Sequence, residues 1–152
     1  MLVILPPFAL AAGLSCWSMC QVLSLQAQKA DELVMVVNKA NAGATGMTVA
    51  EARKLLLGET TSWRGGAKVI VVLGPPGSSD RAAVLKKVCG MSETAFTRYE
   101  MQTAFTGQTV ASVVEAPTSE AMKDKVMANA GAIAFLHSSQ VDQRVQAVLN
   151  LE

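Results

Sequence analysis

Residues 69–88 read VIVVLGPPGSSDRAAVLKKV, an apolar run, a Gly/Pro/Ser turn and an amphipathic stretch in direct succession. A short apolar strand that feeds a helix through a tight turn constrains the fold more than any other feature of this chain. The helix has to pack back on the sheet, which predicts layered α/β architecture. The same stretch poses a functional question. A helix start exposes unpaired backbone N–H groups and a partial positive charge, so it can hold an oxyanion. Ser and Asp at such positions are also the commonest N-caps, and on chemistry alone Ser79 or Asp80 capping the helix is the commoner role.

The rest of the chain repeats this alternation. Leu33–Asn38 (LVMVVN) is expected as a strand that ends in the turn cluster 38–43. Thr48 should cap a helix, with Glu51 completing a capping box and Gly58 stopping it. Residues 69–73 form the next expected strand and 79–88 the next helix, stopped by Gly90. Ser92 and Thr118 can cap two further helices, through Thr103 and Asn129, each with a glutamate in its first turn. Residues 132–136 (AIAFL) read as a short strand, and Val145–Leu151 as an added edge strand. The predicted order is β-α-β-α-α-α-β-β, a mixed, mostly parallel sheet with helices packed on it.

Ahead of this domain, residues 2–27 carry no charged side chain. The run is long enough to span a bilayer, and no basic residue precedes it. It reads as a signal peptide cleaved near Ala27 or Ala30, as a retained membrane anchor, or as a buried helix of the domain. The expected division is a signal peptide or anchor over residues 1–30 and one folded domain over residues 31–152. Membrane contact would then come through the N-terminal segment alone, if it is kept. Cys16 and Cys20 fall in that segment and Cys89 is alone beyond it, so the domain has no internal disulfide to form. With 13 Lys plus Arg against 12 Asp plus Glu and no basic stripe, nucleic acid is not an expected partner.

The sequence also argues against several chemistries. Gly77 is followed by Ser78 and not by lysine, which excludes a Walker A loop. Gly74-Pro75-Pro76-Gly77 lacks the third glycine of a dinucleotide fingerprint. His137 is the only histidine, so no metal-ligand cluster or histidine-based catalytic pair is expected, and there is no G-x-S-x-G elbow. Neither enzymatic activity nor a cofactor or metal is therefore expected. Trp63 reads as a turn anchor packed on the sheet edge, and Met91, Met101, Met122 and Met127 as core fillers. An oxyanion, if bound, would meet Gly77 at close approach, the hydroxyls of Ser78 and Ser79, and the guanidinium of Arg81.

Several short motifs, in order, carry a family resemblance. They are Val37-Asn38 closing the first strand, Leu56-Leu57-Gly58-Glu59 with Trp63 after it, Gly77-Ser78 opening a helix, Gly90-Met91-Ser92, and Ala130 to Leu136. Together they resemble the phosphate ABC-transporter substrate-binding proteins, in particular short single-lobe relatives with a periplasmic-binding-protein-like domain, over residues 33–151. The resemblance implies one such lobe and a periplasmic or secreted location, or tethering by the N-terminal segment. It also implies a non-enzymatic role in binding phosphate or a similar small oxyanion for ABC-type transport, with a permease or another protein as partner. By position it carries the anion-binding role onto Gly77, Ser78, Ser79 and Arg81. Gly74 departs from the family pattern, which often has arginine there. An interaction or sensory module that kept the fold without the ligand is the alternative.

Overall fold

A computed structural model describes residues 31–108 and 111–152. The leader expected over residues 1–30, with Cys16 and Cys20, lies outside the described residues. β1 is Leu33–Asn38, α1 Val49–Leu56, β2 Ile70–Leu73 and α2 Ser79–Val84, which runs on as a π-turn over Leu85–Cys89. α3 follows at Glu93–Phe105, β3 at Ser112–Glu115, α4 at Ser119–Ala128, β4 at Ala132–His137 and β5 at Val145–Leu151. Among the described residues no helix is long and apolar enough to cross a membrane.

The strands form one sheet in the order β3-β2-β4-β1-β5. β2 is parallel to both β3 and β4, while β1 is antiparallel to β4 and to β5. Four strands therefore run one way and β1 alone runs against them, the mixed but mostly parallel sheet that the sequence predicts. β3 is the element the sequence reading lacked. Its four residues (SVVE) lie on the sheet edge and are at most half-buried, so they carry neither a long apolar run nor a clean alternation. The helix expected over 79–88 is also broken in kind. Its last five residues widen into the π-turn, which ends on Gly90 in the left-handed region at φ 69°.

Both faces of the sheet are covered. Met35, Val37, Val71, Leu73, Ile133 and Phe135 pack under α1, α2 and α3, with Phe96 fully buried among them. Val34, Val36, Val72, Ala134 and Leu136 face the other way, against Met122 and Val126 of α4. Central strands buried on both sides read as continuous apolar runs, which is why β1 and β4 are legible without alternation. Asn38 closes β1 by donating its side-chain amide to the carbonyls of Val126 and Met127, at 2.8 and 3.0 Å, and so ties down the end of α4. Trp63 is the expected turn anchor: it is buried, and its indole N–H donates to the Gly131 carbonyl at 2.9 Å. A Cβ at Gly131 would fall 1.9 Å from the Lys68 carbonyl oxygen, so glycine is required there. Met101 and Met127 correct the expectation for the methionines, since both are about half exposed on outer helix faces.

Candidate functional site

The parallel strands β2 and β3 end side by side, Leu73 opposite Glu115, and Ala116 N–H donates to Leu73 O at 2.9 Å. Each then turns through proline into a capped helix. After β2 the turn is Gly74 to Gly77 and the cap is Ser78, whose Oγ accepts from Arg81 N–H at 3.3 Å. After β3 it is Ala116-Pro117 and the cap is Thr118, whose Oγ1 accepts from Ala121 N–H at 3.2 Å. Two helix N-termini thus converge at the carboxyl end of the sheet. In open α/β sheets that is where ligands bind. Between them lies a depression of about 150 Å³, lined by Gly74, Pro75, Ser78, Thr118 and Ser119 together with Met122 and Phe135.

The depression can act chemically as a donor site. A hydroxyl that accepts as an N-cap keeps its own proton free to donate. The backbone N–H groups of Ser79, Asp80, Ser119 and Glu120 occupy the first two positions of their helices and have no intrahelical acceptor. One carboxylate, Asp80, stands at the rim. Its Oδ1 lies 3.2 Å from Nε2 of His137, whose Nδ1 lies 3.0 Å from the Asp31 carbonyl. That carbonyl raises the histidine pKa, partial burial opposes it, and Asp80 adds to the rise. A protonated His137 offsets the negative charge of Asp80 next to the depression.

The four loop residues predicted from sequence do not share one surface. Ser78 lines the depression and is the cap, so the expectation that Ser79 or Asp80 caps the helix is corrected: both already lie inside it. Ser79 lines the adjoining cavity, with His137 and Lys87. Gly77 and Arg81 turn to the opposite side, toward α3. Gly77 N–H donates to both carboxylate oxygens of Glu93, at 3.0 Å each. Arg81 is 6% exposed; Nη1 donates to Gly74 O at 3.2 Å and to Glu115 Oε1 at 3.3 Å, and Nε lies 3.2 Å from Glu93 Oε1. That Nε makes no hydrogen bond, and a buried donor left unmet costs about 1–3 kcal/mol. Beside this cluster, burial raises the pKa of Glu100, with Arg81 opposing the rise and Glu115 adding to it.

Gly74 acquires a packing reason. A Cβ there would sit 2.9 Å from Ser78 Oγ, so any larger residue competes with the cap. Sequence reasoning missed Thr118 and Ser119 as site residues and missed Glu93 as the partner of the loop. Thr118 was visible as a cap, and Pro117-Thr118 repeats the order of proline and then hydroxyl cap found at Pro76-Gly77-Ser78. Without β3 before it, that repetition had no place on the sheet. Among the described residues there is no cluster of three or more metal-ligating side chains, and Cys89 is buried, its thiol pushed up to about 11 by desolvation.

No protein-family model and no curated protein matches the chain. Solved structures do. An ABC-type phosphate transport receptor from Vibrio cholerae aligns with a TM-score of 0.62 at 22% identity, covering 78% of this chain and 45% of the receptor. A Clostridium perfringens protein solved with bound phosphate, described as a phosphate ABC transporter substrate-binding protein, gives 0.62 at 23% identity, covering 78% of this chain and 44% of its own. PstS from Borrelia burgdorferi gives 0.59 at 13%, covering 78% and 46%. The chain has the fold of the phosphate ABC-transporter substrate-binding proteins, as its motifs predict, and it spans about half the length of these structures.

Proposed function

We propose that this chain is a non-enzymatic, extracytoplasmic binding lobe that takes a small tetrahedral oxyanion, phosphate or a close analogue, in the depression between α2 and α4, as part of ABC-type transport. The observation that carries the reading is the convergence of two capped helix starts at the carboxyl ends of β2 and β3. Ser78, Thr118 and Ser119 supply hydroxyl donors, and Ser79 supplies a free N–H at the same helix start. Asp80 suits a protonated oxyanion, whose O–H it can accept. A permease, or a second lobe that closes the open face, is the partner this reading needs. The shared fold with phosphate-binding proteins of ABC transporters supports it.

Calorimetric titration of the full chain with sodium phosphate tests the proposal. Saturable binding is expected, weakened at least about tenfold in Ser78→Ala/Thr118→Ala, since each charge-assisted hydrogen bond contributes about 1.5–3 kcal/mol. The absence of saturable phosphate or sulfate binding up to millimolar anion would sink it. The second reading would then hold, an interaction module that kept the fold without the ligand. One observation favours that alternative: Glu93 already occupies Gly77 and Arg81, two of the groups best suited to an anion.

A further inference from the structure

The α3 side of the same loop holds a second arrangement, separate from the depression between α2 and α4. The Gly77 N–H and the Arg81 guanidinium converge on one point, and the carboxylate of Glu93 fills it. The fit is incomplete in one respect. Glu93 meets Gly77 with both oxygens, yet the buried Arg81 Nε has no aligned acceptor although Glu93 Oε1 is 3.2 Å away. The carboxylate therefore balances the charge of the guanidinium without aligning with its Nε–H, because it is held by a side chain rooted on the first turn of α3. Glu93 also lines an open groove of about 680 Å³, together with Pro76, Gly77, Thr97, Arg98 and Met101. Arg98 has no hydrogen-bond or ion-pair partner among the described residues.

We propose that Gly77, Arg81 and the Arg98 groove form a second anion site whose resident ligand is the protein's own Glu93 carboxylate, and that a free small carboxylate or oxyanion takes the site when Glu93 is displaced. With Glu93 present, Arg81 and the Arg98 of the adjoining groove are two cations against three carboxylates, Glu93, Glu100 and Glu115. A second anion is excluded by charge as well as by space. Without Glu93 the set is balanced, and both the Gly77 N–H and the Arg81 Nε–H lose the carboxylate beside them. A planar or tetrahedral anion that is free to orient can align with the Arg81 Nε–H, which the tethered carboxylate fails to do.

Anion rescue in the full chain tests this. Glu93→Ala is expected to lower Tm by about 5 °C in chloride buffer and to regain about half of that in 100 mM sodium formate or sodium phosphate at matched ionic strength. The wild type should move by less than about 1 °C under the same exchange. Equal response of the two proteins overturns the proposal. Where Glu93→Ala does not fold, Glu93→Ser vacates the same space with a residue suited to the first turn of a helix. Calorimetry with sodium formate in the Ser78→Ala/Thr118→Ala background should then give saturable binding that the same background with Glu93 intact lacks, and no difference overturns the proposal. The two sites fail separately. Wild-type phosphate binding lost in Ser78→Ala/Thr118→Ala reports on the depression, whereas rescue of Glu93→Ala reports on Arg81.

Discussion

The two loops that leave β2 and β3 have the same local construction and opposite settings. Each runs from a parallel strand through proline to a hydroxyl cap, and each helix carries a buried cation soon after: Arg81 in α2 and Lys123 in α4. Arg81 is held by the Gly74 carbonyl and by carboxylates on other elements, Glu93 of α3 and Glu115 of β3. Lys123 pairs with Glu120 on its own helix and with Asp142, 3.0 Å away, in a network that Arg144 shares at the surface. A planar guanidinium with five donors can knit a turn, a helix and a strand together. An ammonium is a point charge that local carboxylates suffice to balance. The α2 loop is thus bound into the body of the lobe, and the α4 loop is fastened by a rim of exposed charge.

This contrast can be broken first at the cations. Arg81→Ala should destabilise the fold by about 3 kcal/mol, measured by urea denaturation, because it strands Glu93 and Glu115 and leaves the Gly74 carbonyl unmet. Lys123→Ala should cost clearly less, and comparable losses would erase the distinction. A smaller effect sharpens the comparison at the turns. Gly74→Ala should cost about 1 kcal/mol, the worth of the cap it displaces, and nothing further in a Ser78→Ala background. At the matching position the α4 loop already carries Ala116, fully buried, so no such dependence exists for Thr118.

The smallest effects are in pH, and their signs differ between the loops. His137, bonded to the Asp31 carbonyl and facing Asp80 of α2, has its pKa raised above 6.5. Its contribution to stability is full below that value and fades as pH rises through the raised folded pKa. Asp142, which accepts from Arg144 and Lys123 beside α4, is held well below its usual 3.8. Its contribution is full above 3.8 and fades as pH falls through the folded value. Tm measured from pH 3 to 9 should lose its alkaline decline partly in His137→Gln, and Asp142→Asn should remove part of the acid decline. A His137→Gln profile parallel to wild type above neutrality would refute the assignment on the α2 side.

Most of the framework was legible because its signals are local. The capping box of Thr48 and Glu51 forms as the spacing predicts, Thr48 N–H donating to Glu51 Oε2 at 2.9 Å. Ser92 and Thr118 cap their helices, and the central strands announce themselves as apolar runs. β3 was invisible because an edge strand of four half-buried residues needs β2 beside it to be a strand at all. The candidate site suffered for the same reason. Gly77, Ser78, Ser79 and Arg81 are neighbours in sequence, yet a helix start sends successive residues in different directions, so the first three line three different surfaces and Arg81 is buried.

The amino-acid sequence by itself determined where helices begin, which strands are buried and that the chain folds as an α/β lobe. Caps, glycine stops and apolar runs act over three or four residues, and the code for them is written in place. Only the tertiary structure decided that Thr118 comes to face Ser78 across a depression and that Glu93 reaches Gly77 and Arg81. Those juxtapositions bridge 40 and 16 positions of the chain, from Ser78 to Thr118 and from Gly77 to Glu93. They depend on strand order and helix placement, which a window of neighbouring residues does not contain.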